Sequence, residues 1–269
     1  MDNGQRFFKV LFMTFLVISL SFNALAQTKP LLNAHAHNDY KHQKPFFDAY
    51  NKGFNSIEVD IFLIKGELYV SHLRPILKLE SKTLKSLYLE PLKDIVTENK
   101  SAYTNSKETL YLMIDIKTEA NATYEILKKQ LAEYAFMLTK YNGNIKEEGA
   151  VTIFLSGNRP VEQVFKEKEK FVAIDGRPSE LGKRFSADFM PVVSTNFKNV
   201  CDWNGKGEIP NAEFEKLKAF TDSVHEEGKR ARLWAIPDNE NTWKVLLKAG
   251  IDLISTDKIE AFSAFIVQN

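Results

Sequence analysis

The chain contains very little cysteine and histidine. One cysteine, Cys201, and five histidines occur in 269 residues. A single cysteine cannot form an internal disulfide, so the fold must be held by its hydrophobic core. A reactive thiol is the alternative role for Cys201, but no histidine lies close to it in the sequence. The scarcity of histidine makes the pair at His35 and His37 the first feature to explain.

A long apolar run is found at the N-terminus. Arg6 and Lys9 accompany FFKVLFMTFLVISLSF, and Ala24-Leu25-Ala26 then offers a small-x-small cleavage site. This order predicts a secretory signal peptide over residues 1–26 and a mature domain over 27–269. A retained membrane anchor is the alternative, although the apolar core is short for a span. We therefore expect a periplasmic or secreted protein with no stable membrane span after cleavage.

The chain also lacks an excess of charge of either sign. It has 36 Lys and Arg against 35 Asp and Glu, and loss of Arg6, Lys9 and Asp2 with the signal leaves 34 of each. A neutral protein has no general electrostatic attraction to nucleic acid or to an anionic membrane. No nucleic-acid partner is expected, and the sequence does not indicate an oligomeric state.

Short apolar runs alternate with segments of helical spacing, such as 123–141 and 211–229. Eight runs are strand candidates: 31–36, 56–62, 109–116, 150–156, 170–175, 190–195, 229–236 and 251–257. This alternation predicts a single-domain α/β fold, a parallel (β/α)8 TIM barrel, with a doubly wound open sheet as the alternative. Residues 73–108 and 176–189 are expected to be loops.

Polar residues gather at the ends of the predicted strands, where the active sites of such barrels lie. The first three strands end in two imidazoles, three carboxylates and an ammonium: His35, His37, Glu58, Asp60, Asp115 and Lys117. Later strands end in Ser156, Asp175, Asn196, Trp234 and Asp257. Each is unremarkable alone, but the concentration on the first three strands predicts a catalytic site.

The carboxylates suggest a cation. Glu58 and Asp60 are two apart on a strand and project from the same face, where they repel one another unless a cation lies between them. Asp115 on the neighbouring strand supplies a third carboxylate. Oxygen ligands alone suit one divalent cation, Ca²⁺ or Mg²⁺. The alternative is a salt-bridge cluster with Lys117 as its counter-ion.

A second histidine is predicted to reach the same rim. Lys65-Gly66 reads as a turn between two strand-like pieces, which returns His72 to the rim; a buried structural histidine is the alternative. On strand 1, His35 is expected at the level of Glu58, with His37 nearer the loop. A base and an acid beside a divalent cation suit phosphoryl transfer.

The motifs HAHNDY, IEVD, LYVSH and SLYLEPL resemble those of the superfamily of glycerophosphodiester phosphodiesterases and phosphatidylinositol-specific phospholipases C. They are most similar to its altered-inheritance-of-mitochondria type 6 branch. The likeness covers about residues 31–260. It implies a phosphoric diester hydrolase that cleaves a diester whose alcohol carries a neighbouring hydroxyl, through a cyclic phosphate.

The resemblance also implies roles for individual residues. The metal carboxylates correspond to Glu58, Asp60 and Asp115, and the second catalytic histidine to His72. His35 aligns with the first catalytic histidine, but the arginine that follows it in the family is missing.

Phosphate or substrate contacts are therefore expected from His37 and Asn38. Lys117 is similar to a phosphate-contacting lysine of the sphingomyelinase D branch, and Trp234 is the remaining predicted substrate contact.

Two other classes of protein remain as alternatives. Zinc amidohydrolases also place His-x-His on strand 1, but they need further histidines on later strands. A barrel that binds a phosphorylated headgroup without turnover is the second. Glycerophosphodiesters, phosphoinositides and lysophospholipids all fit such a site as small-molecule or lipid-headgroup substrates.

Overall fold

A computed structural model describes residues 29–76, 82–104, 106–143 and 145–268. The predicted signal peptide, 1–26, lies outside these residues. The strands, in chain order, are β1 (Leu31–Ala36), β2 (Phe54–Ile64), β3 (Glu67–Val70), β4 (Leu110–Ile116), β5 (Lys140–Asn142), β6 (Ile145–Glu147), β7 (Val151–Gly157), β8 (Glu169–Lys170), β9 (Val172–Gly176), β10 (Val192–Asn196), β11 (Arg230–Trp234) and β12 (Leu253–Thr256). The helices are α1 (Phe47–Tyr50), α2 (Glu90–Asn99), α3 (Ala120–Ala132), α4 (Val161–Lys166), α5 (Asn211–His225), α6 (Glu240–Lys248) and α7 (Ile259–Gln268).

Eight of these strands run parallel and close into a barrel. Their order around it is β1, β2, β4, β7, β9, β10, β11 and β12, and β12 pairs with β1 to complete the circle. Closure confirms the predicted (β/α)8 fold and excludes the open doubly wound sheet. The eight predicted runs correspond to these strands, since strands buried on both faces are nearly continuous in apolar residues.

The turn predicted at Lys65-Gly66 is present. Both residues have positive φ, 52° and 83°, and β3 returns antiparallel to β2. The returning chain stays beside the end of β2, because the backbone N–H of Ser71 donates to the carbonyl of Asp60 at 3.3 Å. This hairpin carries His72 to the C-terminal rim of the barrel.

Two segments differ from the sequence expectation. The helical pattern over 123–141 breaks at Ala132, where α3 ends. Several later apolar residues of the pattern, among them Tyr134 and Met137, are buried but lie in turns or in β5 rather than in a helix, and Phe136 is exposed. The expected loop 73–108 contains α2, which begins at Glu90. Pro91 follows directly on a π-helical turn, Lys85–Leu89, and the backbone stays helical through it, so the missing N–H of this proline falls where the wider turn meets α2.

His225 and Cys201 lie outside the rim, and the structure shows the contacts of the first and the burial of the second. His225 is an exposed residue at the end of α5, and its Nε2 lies 2.7 Å from Oδ2 of Asp252, which ties α5 to the segment before β12. Cys201 is buried, and burial raises the pKa of its thiol, which argues against a reactive cysteine. Among the described residues, no helix combines the length and the apolar character needed to cross a membrane.

Candidate active site

Three carboxylates meet at the C-terminal end of the barrel. In the register of β2 and β4, Asp60 lies directly beside Asp115. Glu58 is two residues earlier on β2 and therefore faces the same way. One ligand oxygen of each residue lies within 4.8 Å of those of the other two. Within the described part of the chain this is the only such group of carboxylate, histidine or cysteine side chains.

Burial and mutual repulsion make it unfavourable for all three carboxylates of this cluster to be ionised at once. Glu58 and Asp60 are almost completely buried. Burial, and then the charges of Asp60 and Asp115, hold the pKa of Glu58 well above its usual value. Burial also raises the pKa of Asp115, and the charge of Asp60 adds to this shift. Lys117 lowers the same pKa, but the net shift is upward. A positive charge among these oxygens would relieve both effects.

Lys117 supplies part of that charge. Its Nζ lies 3.1 Å from Oδ1 of Asp60 and 3.0 Å from Oδ1 of Asp115. Burial lowers the pKa of Lys117, but the two carboxylates outweigh burial and the net shift is upward. One ammonium among three carboxylates leaves the cluster negative, so the predicted salt-bridge partner is present without neutralising the site.

A glycine makes room for Asp115. Gly157, at the end of β7, has a positive φ of 66°. A Cβ atom at this position would lie 2.0 Å from Oδ1 of Asp115. Any side chain here would therefore displace the Asp115 carboxylate.

The residues of the cluster fit a divalent cation. All three donors are carboxylates, and among the described residues the buried Oδ1 atoms of Asp60 and of Asp115 have the ammonium of Lys117 as their only polar contact. Hard oxygen donors of this kind are the ligands that Ca²⁺ and Mg²⁺ use. Glu58, Asp60 and Asp115 are thus the residues that would hold the ion, and Lys117 would share two of their oxygens.

Tyr40 connects the cluster to His72. It lies in the 3-10 turn Asp39–Lys41 that follows β1. Its hydroxyl donates to Oδ2 of Asp60 at 2.7 Å and lies 3.1 Å from Nδ1 of His72. Sequence reasoning missed Tyr40; its place directly after the HAHND segment was the only available signal. The predicted histidine has thus reached the acidic cluster, with its side chain 57% exposed.

His37 faces the rim on the β12 side and is paired with a carboxylate. Its side chain is 33% exposed, and Nδ1 lies 2.8 Å from Oδ1 of Asp257. The Nδ2 group of Asn38 lies 2.9 Å from the same ring nitrogen. Burial raises the pKa of Asp257, but the hydrogen bond from His37 and its charge outweigh burial and lower it. A carboxylate on Nδ1 leaves Nε2 as the free nitrogen of His37.

His35 lies deeper than expected. In the register of β1 and β2 it is beside Ser56, not Glu58, so the expectation that His35 shares the level of Glu58 is wrong. The strand pairing places His37 nearer that level. His35 is completely buried, its Nδ1 lies 2.7 Å from Oγ of Ser56, and its buried Nε2 has no hydrogen-bond partner among the described residues. Burial first, and then Arg232, holds the pKa of His35 well below its usual value.

The other residues of the HAHND segment organise the loop. Asn38 adopts the left-handed conformation, and its backbone N–H donates to Oε2 of Glu58 at 2.6 Å. Asp39 is buried and accepts hydrogen bonds from the N–H of Phe46 at 2.5 Å and from the hydroxyl of Tyr88 at 2.8 Å. Asp39 is therefore a structural anchor for the loop rather than a member of the acidic cluster.

The far side of the rim carries arginines that sequence reasoning did not select. Arg177 donates to Oδ2 of buried Asp175 at 2.7 Å. Arg232 is buried on β11 and donates from Nε to Ser255 at 3.0 Å. Trp234 lies at the end of β11 with 38% of its surface exposed. No hydrogen bond or ion pair between described residues joins Trp234 to the acidic cluster.

These features define a class of protein: a closed parallel barrel with a carboxylate cluster suited to a cation and two solvent-facing histidines beside it. Zinc amidohydrolases are disfavoured, because the barrel strands β9 and β10 end near Asp175 and Asn196 and bring no further histidine to the rim.

Comparisons with known proteins identify the family. Residues 23–174 match the AIM6-like phosphodiesterase domain. The chain is 30% identical to the altered inheritance of mitochondria protein 6 homolog of Arthroderma benhamiae, covering 86% of this chain and 82% of that protein. It is 29% identical to altered inheritance of mitochondria protein 6 of Eremothecium gossypii, covering 87% and 69%.

A solved structure supports the fold independently. Phosphatidylinositol-specific phospholipase C from Listeria monocytogenes superposes with a TM-score of 0.51 at 13% identity, covering 91% of this chain and 96% of that one.

The match to the family model and the 30% identical relative show that the chain belongs to the AIM6-like phosphodiesterase family and is a phosphoric diester hydrolase, as the sequence motifs predicted.

Proposed function

We propose that this protein is a metal-dependent phosphodiesterase that cleaves a glycerophosphodiester- or phosphoinositide-type diester by histidine acid–base catalysis through a cyclic phosphate. The observation that carries this proposal is the placement of two solvent-facing histidines on either flank of a buried carboxylate cluster. His37 lies on the β12 side and His72 on the β3 side.

We assign the general base to His37 rather than to His35. A base must reach the proton that it removes, and the ring of His35 is sealed inside the barrel. His37 is partly exposed, and its pairing with Asp257 favours the proton on Nδ1, so that Nε2 can accept. In the proposed step Nε2 of His37 takes the proton of the substrate hydroxyl next to the phosphate. The oxygen of that hydroxyl then bonds to phosphorus.

His72 is the proposed general acid. When the bond between phosphorus and the leaving oxygen breaks, Nε2 of His72 gives its proton to that oxygen. The cyclic phosphate is opened by water with the two roles reversed: His72 takes a proton from water and His37 returns one to the ring oxygen. Every proton is accounted for by the two rings, the substrate and water.

A divalent cation held by Glu58, Asp60 and Asp115 would stabilise the negative charge of the phosphate. Lys117 lies against two of these carboxylates and is the proposed phosphate contact from the protein itself. Asn38, whose Nδ2 group donates to Oδ1 of Asp257 at 3.4 Å, and Trp234 at the outer edge of the rim are the remaining proposed substrate contacts.

The experiment compares two diesters that differ by the neighbouring hydroxyl: glycerol p-nitrophenyl phosphate and propyl p-nitrophenyl phosphate. The glycerol diester should be cleaved at least about 100-fold faster, because its own hydroxyl is held beside phosphorus. Phosphorus NMR of the reaction should show a cyclic glycerol phosphate. Equal rates would contradict the cyclisation step, and binding of both diesters without turnover would favour a headgroup-binding barrel.

Variants of the two neighbouring histidines test the assignment of the base. His37→Ala should lower kcat on the glycerol diester by about 10²–10⁴-fold, whereas His35→Asn should reduce kcat far less after correction for any loss of folded protein. Full turnover by His37→Ala would return the base to His35.

We also propose that the mature protein is exported, on the sequence of residues 1–26 alone. A small-molecule or lipid-headgroup diester outside the cytoplasm is then the substrate class.

A further inference from the structure

The hydroxyl of Tyr40 is in contact with three polar groups at once. It lies 2.7 Å from Oδ2 of Asp60, 2.8 Å from Oδ1 of Asn38 and 3.1 Å from Nδ1 of His72. A phenol has one proton to donate, and a carboxylate oxygen or an amide oxygen can only accept. The one proton of Tyr40 therefore goes to one of these two oxygens, of which Oδ2 of Asp60 is the nearer. Its oxygen is left to accept the N–H of His72.

His72 depends on this contact for its orientation. It follows β3 at the rim, and more than half of its side chain is exposed. Tyr40 is the one hydrogen-bond partner of the His72 ring among the described residues, and the nearest oxygen of Asp60 is 3.5 Å from Nδ1. A ring held at Nδ1 keeps Nε2 free to exchange a proton with a substrate.

Tyr40 itself is rigidly placed. The residue two before it is fixed by the hydrogen bond from the backbone N–H of Asn38 to Glu58. The residue just before it, Asp39, is fixed by Phe46 and Tyr88. A short turn anchored at two points therefore presents the hydroxyl to His72.

We propose that Tyr40 is the positioning residue of His72: it holds the ring as the Nδ1–H tautomer so that Nε2 alone delivers and recovers the catalytic proton. The kinetic part of this inference rests on the proposed function, since it requires His72 to act as the acid. During the step the Nε2–H bond of His72 breaks and the proton goes to the leaving oxygen. The Nδ1–H bond stays with Tyr40 throughout.

The first test uses Tyr40→Phe, which removes the hydroxyl and keeps the ring. The matched control is Tyr50→Phe, which removes a hydroxyl that donates to the carbonyl of Ala102 at 2.8 Å, away from the acidic cluster. Two substrates are compared, glycerol ethyl phosphate and glycerol p-nitrophenyl phosphate. An ethoxide leaving group needs a proton from the acid, whereas p-nitrophenolate leaves without one.

Tyr40→Phe should lower kcat on the ethyl diester on the order of 10–100-fold, a part of what general acid catalysis contributes. The loss on the p-nitrophenyl diester should stay below about threefold, with KM little changed in both cases. Tyr50→Phe should match the wild type on both substrates. Equal losses of Tyr40→Phe on the two substrates would overturn the proposal, because a general structural defect does not depend on the leaving group.

A double-mutant cycle with His72→Ala separates action through His72 from any other role. If Tyr40 works through His72, then adding Tyr40→Phe to His72→Ala should cause little further loss of kcat. Independent, multiplying losses would overturn the proposal and place Tyr40 directly on the substrate or on the acidic cluster.

The tautomer is measured without turnover. In ¹⁵N-histidine-labelled protein with Mg²⁺, at a pH where the ring is neutral, the His72 signals (assigned by their absence in His72→Ala) should report a protonated Nδ1. In Tyr40→Phe the neutral ring should revert toward protonation at Nε2. An Nε2–H ring in the wild type, or an unchanged tautomer in the variant, would overturn the proposal. If the wild type cleaves neither diester, the proposed function fails, and these signals still decide what Tyr40 does.

Discussion

Removal of one cluster carboxylate is the perturbation that best separates a cation site from a salt-bridge cluster. Asp115→Asn keeps the shape of the side chain and removes one of three negative donors. An ion that binds only the folded protein stabilises it by about 2.7 kcal/mol at a hundredfold excess over its Kd. For a chain of this length that corresponds to a rise in Tm of roughly 5–10 °C.

Loss of an anionic ligand should weaken binding about tenfold or more, a change of at least about 1.4 kcal/mol. The rise in Tm with Mg²⁺ or Ca²⁺ should therefore fall by roughly half or more in Asp115→Asn. The metal-free variant should be no less stable than metal-free wild type, because burial raises the pKa of Asp115 and marks its charge as unfavourable. Thermal melts across millimolar Mg²⁺ and Ca²⁺, after treatment with a chelator, measure both quantities.

Two further variants complete the comparison. Asp222→Asn alters an exposed carboxylate that pairs with Lys218 at 2.9 Å on α5, and it should keep the full metal-induced shift. Lys117→Met frees the two oxygens that its ammonium contacts, so it should enlarge the shift. A wild-type Tm that does not move with either metal would refute the cation site, and so would a full shift in Asp115→Asn.

Three other expectations concern different parts of the molecule. Gly157→Ala should weaken both the metal-induced rise in Tm and kcat, because the new methyl group displaces Asp115; unchanged values of both would contradict this placement. Burial raises the pKa of Asp39 to about 6, above its unfolded value, so this residue favours the folded state most below pH 4 and loses that contribution as pH rises through 6. Relative to Asp39→Asn, the unfolding free energy of the wild type measured in urea should thus fall by roughly 2.5 kcal/mol between pH 4 and 8. Unfolding free energies that change in parallel with pH in the two proteins would show that burial does not raise the pKa of Asp39. Expressed in a Gram-negative host, the protein should be recovered from the periplasm with Gln27 at its N-terminus by mass spectrometry; Met1 retained in a membrane fraction would contradict export.

The barrel was predictable because buried parallel strands have a distinct sequence pattern. Runs such as 109–116 are apolar on both faces and leave polar residues only where the strand ends, so Asp115 and Lys117 could be placed at the rim from the sequence alone. The hairpin at Lys65-Gly66 was equally readable, because the glycine permits the positive φ that a tight turn needs.

The depth of the two histidines was not predictable from spacing. Residues two apart share a face, but spacing alone does not give the register between β1 and β2, and that register places His35 beside Ser56. The pairing of His37 with Asp257 joins residues 220 apart in sequence. It exists only because β12 closes the barrel against β1.

Tyr40 could not be identified from the sequence for a different reason. A tyrosine after a short polar segment has no periodicity to mark it, and its importance comes from three contacts made by one hydroxyl. The helix α2 was not predicted because proline ordinarily interrupts a helix, whereas here the π-helical turn Lys85–Leu89 leads into α2 and Pro91 without a break.

The most direct test of the proposed site is the rate of p-nitrophenolate release from glycerol p-nitrophenyl phosphate, measured with and without metal in the wild type and in Asp60→Asn. The wild-type rate should fall to background in chelator and return with Mg²⁺ or Ca²⁺, while folded Asp60→Asn stays at background at every metal concentration. A wild-type rate that survives the chelator, or an Asp60→Asn rate equal to the wild type, would contradict a metal-dependent phosphodiesterase site at this rim.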